Sequence, residues 1–296
     1  MKNKYVFVAA LLAVILAAGT GLTSFYVNRQ ESKQPEDELV VVTSFYPMYI
    51  AAKNVIGDCE GIRLQNLSEP QTGCLHDYQL TAEDMKLLST ADVFIVNGGG
   101  IESFLTDVVS EYPDLNVINA CENLKLEEGN AHAWMSMSSY LIQLETIRDG
   151  LIQADPQKEE IYRTNEAEYA GQVQALMDSA RDLTETLAGQ PVILFHEAYE
   201  YVADDYGFNV VGVMDLDEER QVSAGEVADI MWAIEEYDVP VILAEALYGQ
   251  DMGDMMEAQT DVKVLYLDTL NRGDYEADSY LNGMEENIAL LREAFQ

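Results

Sequence analysis

The stretch Pro156–Leu187, PQKEEIYRTNEAEYAGQVQALMDSARDLTETL, decides how the rest of the chain is read. After its first residue it contains no proline, and Gly171 is its single glycine. Apolar side chains fall at Ile161, Tyr162, Tyr169, Val173, Leu176, Met177, Ala180, Leu183 and Leu187, one stripe with a 3.6-residue period. A helix of that length spans roughly 45–50 Å at 1.5 Å per residue. It is long enough to cross a whole domain or to join two.

Both flanks of this helix alternate short β-rich runs with helical patterns. Before it, LVVVTSF (39–45) leads into YPMYIAAKNVIG (46–57), where Gly57 can end a helix. IRLQNL (62–67) precedes a loop and then TAEDMKLLSTA (81–91), where Thr81 can cap and Asp84 sits in the first turn. DVFIVN (92–97) precedes GGGIESFLTDVVSEY (98–112), and NVINA (116–120) leads through a loop to a helix from about Ser138 to Ala154. After the long helix, PVILF (191–195) precedes a helix expected near His196, and FNVVGV (208–213) precedes SAGEVADIMWAIEEY, with Ser223 and Glu226 at capping-box spacing. PVILA (240–244) and VKVLYL (262–267) follow, and a last helix is expected from about Asp278 to Ala294. Strands alternating with helices indicate parallel sheets covered by helices. The predicted fold is therefore α/β: two lobes, each a mostly parallel sheet flanked by helices, joined by one long backbone helix. The boundaries are 39–155 for the first lobe, 156–188 for the connecting helix and 189–296 for the second lobe.

The N-terminus, MKNKYVFVAALLAVILAAGTGLTSFYVNRQ, has a different character. Two lysines precede an uncharged run, Tyr5–Val27, long enough to span a bilayer. Its most apolar part also suits a signal-peptide core, and Ala17, Ala18 and Gly19 are small enough for cleavage. Residues 1–29 are read as a membrane anchor or signal peptide, and 30–38 as a polar tether. Either way the lysines stay inside and the body is exported. The protein is thus expected outside the cytoplasm, on the outer face of the membrane or secreted.

Charge excludes one large class of partners. The chain has 16 basic and 53 acidic residues, a net −37. Lys2, Lys4 and Arg29 lie in the N-terminal segment, so the body carries 13 basic and 53 acidic residues. Such a surface repels phosphate backbones, which excludes nucleic acid. It attracts cations only weakly and non-specifically, and solubility alone accounts for much of it. Cys59, Cys74 and Cys121 enter an oxidising compartment. A Cys59–Cys74 bridge is expected; it would close a short loop worth roughly 3 kcal/mol on the chain-entropy model. The alternatives are three free thiols, or Cys74 as a thiolate ligand beside His76.

Nucleotide and serine-hydrolase readings find little support. NGGG (97–100) follows a strand and precedes a helix, yet G-x-G-x-x-G, a P-loop lysine and G-x-S-x-G are all absent. Tight turning is the better explanation for the glycines.

The chain has three histidines, and all lie beside turns or strand ends. In open parallel sheets, ligands bind outside the carboxyl ends of the strands. His196 directly follows PVILF, Glu245 follows PVILA and Asp268 follows VKVLYL. His76 lies in the loop after IRLQNL, and His132 in the loop after NVINA. If the lobes face each other, these groups meet in a cleft. Three neutral imidazoles and one carboxylate make a tetrahedral zinc site. Taken singly, each residue has an ordinary reading: Asp268 and Glu245 can cap turns, and His132 can pack beside Trp134. The joint placement favours a metal.

VVVTSFYPMYIAAKNVIGD (40–58), GCLHDYQLTAEDMKLLSTADVFIVNGGGIESFL (73–105), NAHAWMS (130–136), ILFHEAYEYVADDYGF (193–208) and VLYLDTL (264–270) together resemble the metal-binding solute-binding proteins of zinc and manganese ABC importers. The resemblance runs from about Leu39 to the C-terminus. It implies two α/β lobes joined by a long helix, and metal ligands at His76, His132, His196 and Asp268. It also implies delivery of the metal to a membrane permease driven by an ATPase, with no enzymatic activity and a monomeric chain. Three departures stand out. Thr20 replaces a lipid-accepting cysteine, ENLKLEEGN (122–130) has no histidine-rich loop, and NAHAW replaces an Asp-Pro-His-like sequence. A three-histidine set favours one Zn2+ per chain over Mn2+ or Fe2+. Glu245 and Glu197 are assigned to the lining of the site. The rival functions are an exported zinc hydrolase, with Glu197 or Glu245 as base, and a surface adhesin holding a structural metal.

Overall fold

The structure is a computed structural model that describes residues 38–72, 75–76, 78–126, 129–216 and 222–295. The anchor or signal peptide assigned to 1–29 and all of the 30–38 tether but Glu38 lie outside these residues, as does Cys74. The first half forms β1 (Leu39–Thr43), α1 (Tyr46–Ile56), β2 (Ile62–Asn66), α2 (Ala82–Leu88), β3 (Val93–Val96), α3 (Leu105–Glu111) and β4 (Asn116–Asn119). α4 (Met137–Ala154), α5 (Glu159–Ser179) and α6 (Arg181–Leu187) follow. The second half forms β5 (Pro191–Leu194), α7 (Tyr199–Tyr206), β6 (Asn209–Val213), α8 (Ala224–Glu236), β7 (Val241–Ala244), α9 (Ala246–Gln259), β8 (Lys263–Tyr266) and α10 (Ser279–Ala294).

The two halves repeat one topology. The sheets have strand orders β2-β1-β3-β4 and β6-β5-β7-β8, and every pairing is parallel. The central strands are continuous apolar runs, VVVT, VFIV, VIL and VILA, buried on both faces as covered parallel sheets require. In both sheets the strand order reverses beside the first strand, which places a crevice at the carboxyl edge.

Local signals behave as their chemistry demands. Thr81 and Asp84 form a full capping box on α2, with Thr81 N–H donating to Asp84 Oδ2 at 2.7 Å and Asp84 N–H to Thr81 Oγ1 at 3.2 Å. Ser223 and Glu226 do the same for α8. Gly57 ends α1 at φ +58°, and Asn165 of α5 donates to the last carbonyls of α1, Val55 O and Ile56 O. The helix expected near His196 begins instead at Tyr199, leaving His196 in the turn before it.

The long helix is not continuous. It opens with a 3₁₀ turn at Pro156–Lys158 and breaks at Ala180, between α5 and α6. Side-chain hydrogen bonds take up carbonyls at the break. Ser179 Oγ donates back to Leu176 O at 2.7 Å, and Arg292 of α10 donates to Ser179 O at 3.1 Å.

The lobes share one core. A single buried cluster runs from Val41 and Phe94 in the first sheet through Trp134, Tyr140 and Tyr162 to Leu194, Leu243 and Tyr280 in the second half. A smaller cluster, including Ile193, Phe195, Ile242 and Met256, fills the opposite side of the second sheet. Tyr140 stacks on Tyr280 with ring centroids 3.7 Å apart, and Phe45 meets Trp134 edge-on at 5.2 Å. Among the described residues no helix is long and apolar enough to cross a membrane.

Candidate metal centre

The glycine loop after β3 is closed to phosphate. Asn97 N–H and Gly98 N–H both donate to the Glu102 carboxylate, at 2.7 and 3.0 Å, and Ser44 Oγ adds a third bond at 2.8 Å. A buried side-chain anion thus occupies the backbone donors that a phosphate would need. Burial raises the Glu102 pKa, and these hydrogen bonds oppose the rise. Gly98 has φ +81°, and a Cβ there would lie 2.0 Å from Asn119 Oδ1, so close approach explains this glycine.

The three histidines do converge. The His76 and His132 rings have centroids 5.3 Å apart, and His132 and His196 are 5.0 Å apart. Buried Leu75 holds its neighbour His76, whose side chain is 42% exposed. His132 precedes the short 3₁₀ turn Ala133–Met135 and is fully buried. Its pKa lies well below the ordinary 6.5, first through burial and then through the facing His196 and His76. The ring is therefore neutral at physiological pH, as coordination requires.

Among the described residues, Glu197 brings its carboxylate to two of these rings. Its Oε1 lies 3.8 Å from His76 Nε2 and 3.3 Å from His132 Nδ1. His76, His132 and Glu197 each offer one ligand atom within 4.8 Å of the other two. Among the described residues this is the one such group, and it contains neither His196 nor Asp268. His196 is turned to local use: its Nδ1 accepts the Ala198 N–H at 3.0 Å. A neutral imidazole has a single lone-pair nitrogen. Coordination through either nitrogen therefore displaces the Ala198 N–H.

Asp268 sits after β8 with its surface open to solvent, and its Oδ1 accepts Leu270 N–H at 2.8 Å. The protein crowded around it still desolvates the carboxyl enough to raise its pKa, against the pull of Arg272. The Asp268 loop is tied to the His132 loop, because Trp134 Nε1 donates to Thr269 O at 2.9 Å. Glu245, assigned to the site lining, pairs with Arg272 at 3.1 Å and is not in the ligand group. The Cys59–Cys74 pairing falls on Cys74, outside the described residues. Cys121 is buried, with its thiol beside Gln143 Nε2 at 3.2 Å and its pKa pushed up to about 12 by burial. It belongs to the core.

Asn130 was not singled out by the sequence, although it stands two residues before His132. Its side chain lies 3.0 Å from both the backbone N–H and Nδ1 of His132, and reaches the second lobe at Glu197 O and Glu200. No periodicity or spacing marks such a residue.

The chain is similar to known metal-binding proteins over nearly its whole length. The chain is 26% identical over 299 residues to the manganese-binding lipoprotein MntA of Halalkalibacterium halodurans, covering 97% of this chain and 96% of that one. It is 27% identical over 301 residues to the iron-binding protein YfeA of Yersinia pestis, covering 97% and 96%. It is 24% identical over 312 residues to the high-affinity zinc uptake system protein ZnuA of Bacillus subtilis, covering 97% and 95%. Among solved structures, the SBP FpvC of Pseudomonas aeruginosa in complex with Mn2+ matches with a TM-score of 0.77 and 26% identity, covering 88% of this chain and 98% of that one. The two-lobed architecture, the convergent imidazoles and a family model matched over residues 41–294 lead to one conclusion: the chain belongs to the family described as ZnuA, zinc-uptake complex component A, periplasmic.

Proposed function

We propose that this protein captures a divalent transition metal, Zn2+, outside the cytoplasm in the cleft between its lobes and delivers it to the permease of an ABC importer powered by an ATPase. The observation that carries this reading is the convergence of all three histidines of the chain, drawn from three separate loops, with the His132 ring centroid 5.3 Å from that of His76 and 5.0 Å from that of His196. The proposed ligands are His76, His132, His196 and Asp268. Three nitrogens and one oxygen suit tetrahedral zinc. The names of the relatives support metal capture, and they name manganese, iron and zinc. The chain acts as a monomer, not as an enzyme, on the outer face of the membrane or secreted, with segment 1–29 as its signal peptide or membrane anchor.

A second reading rests on Glu197, which stands within reach of two imidazoles while His196 is engaged with Ala198. With Glu197 as a ligand the set gains oxygen, and the preference moves toward manganese or iron. Calorimetric titration of zinc and manganese into the wild type, Asp268→Asn and Glu197→Gln separates the two. The first reading expects one equivalent of zinc, bound tighter than manganese, with the loss of affinity in Asp268→Asn. Loss in Glu197→Gln alone makes Glu197 the fourth ligand. A wild type that prefers manganese refutes zinc as the cargo.

A further inference from the structure

We infer that Asn130 is a positioning residue for the metal: it fixes the tautomer of His132 and latches the ligand loop of the first lobe to the second. The inference rests on the reading of His132 as a ligand. Asn130 is 2% exposed, and every polar atom of its side chain is engaged. Its Nδ2 donates to Glu197 O at 2.8 Å and to Glu200 Oε2 at 2.9 Å. Both partners can only accept, so the orientation of the amide is determined: the nitrogen faces the second lobe and Oδ1 faces His132.

That orientation has a chemical consequence. Oδ1 accepts the His132 backbone N–H at 3.0 Å and lies 3.0 Å from His132 Nδ1. An amide oxygen can only accept, so the proton of the neutral imidazole resides on Nδ1. Glu197 Oε1, 3.3 Å from the same nitrogen, favours the same tautomer. The lone pair is left on Nε2, the nitrogen that can then coordinate a metal. The latch is completed from the other side, where Tyr201 of α7 donates its hydroxyl to Asn130 O at 2.9 Å. Separations of 67 to 71 residues in sequence are thereby bridged by one side chain and its own carbonyl.

The chemistry also explains why an amide stands here. An aspartate would keep the acceptor for His132 but turn its second oxygen toward a carbonyl and the Glu200 carboxylate. Two donors would be lost and two like charges would face each other. The test uses Asn130→Ala, Asn130→Asp, and Asn130→Asp combined with Glu200→Gln, which returns an N–H donor from the other side. Zinc affinity is read by competition with a chelating dye, and the imidazole tautomer by long-range nitrogen–proton NMR of the metal-free protein. The wild type is expected to carry the His132 proton on Nδ1. Asn130→Ala is expected to bind zinc about 10–100-fold more weakly, the usual cost of losing a group that orients a ligand. Asn130→Asp is expected to lose affinity as well, and the double variant to recover at least about threefold of it, on the same scale. A merely structural role would lower the melting temperature of Asn130→Ala and leave zinc affinity within about twofold of wild type, and that result overturns the inference. A His132 proton on Nε2 in the wild type overturns it too. Should Asn130→Ala not fold, the Asn130→Asp pair decides: no recovery in the double variant refutes the latch. Failure of the wild type to bind zinc instead counts against the proposed cargo, and the tautomer still reports what Asn130 does.

Discussion

Replacing Asp205 by asparagine should stabilise the metal-free protein at neutral pH and not in acid. Asp205 belongs to α7 and accepts the hydroxyl of Ser136 at 2.9 Å, the residue that caps α4 just after the His132 turn. It borders a cavity of about 220 Å³ lined also by Asp178, Arg181, Thr184 and Tyr206. Burial pushes its pKa from 3.8 up to about 6; the neighbouring Asp204 adds to the rise, and Ser136 and the Met137 N–H oppose it. A folded pKa above the unfolded value means that the proton favours the folded state. The stability this supplies is complete below about pH 3.8 and is lost as pH rises through about 6. A rise from 3.8 to about 6 is equivalent to about 3 kcal/mol at neutral pH, and the partial solvent access of the carboxylate reduces this to about 1–2 kcal/mol. Asparagine keeps an acceptor for Ser136 and removes the charge. The expected gain at pH 7.5 is about 2–8 °C in melting temperature, at about 2–4 °C per kcal/mol for a chain of this size class. His132 acts in the opposite sense, since its lowered pKa makes the metal-free protein lose stability as pH falls below about 6.5. The difference between variant and wild type isolates Asp205. Thermal melts by circular dichroism from pH 4.5 to 8 are the assay. A difference that is zero at pH 7.5, or constant across the range, refutes the reasoning.

Two further outcomes are expected. His196→Ala should weaken zinc by more than the roughly 10–100-fold typical of lost orienting groups, because it removes a donor, whereas His196→Glu should move preference toward manganese; equal zinc affinity in His196→Ala and wild type by calorimetry would sink the three-histidine site. Glu245→Gln should cost about 1–2 kcal/mol of stability through the half-buried pair with Arg272 and leave zinc affinity unchanged, as read by parallel melts and titrations.

Much of the architecture was legible in one dimension because it is built from short-range periodicity. Apolar runs such as VVVT and VILA, the stripe along α5, and the pairs Thr81/Asp84 and Ser223/Glu226 each carry their meaning within a few residues. From these came the two parallel sheets, and from the sheets the expectation that His76, His132 and His196 meet at one edge. The remaining features depend on partners distant in sequence. At the break before Ala180, Arg292 reaches the Ser179 carbonyl from the last helix. The glycine loop is closed by a carboxylate, Glu102, whose place depends on a tight turn and on Ser44 just after β1. At the centre itself, residue types and strand ends pointed to the imidazoles, but only the packing of one lobe on the other brings Glu197 between His76 and His132 and Asn130 against both lobes. A hydrogen bond selects its partner by a few tenths of an ångström, and that distance is determined by how the two sheets pack around their shared core.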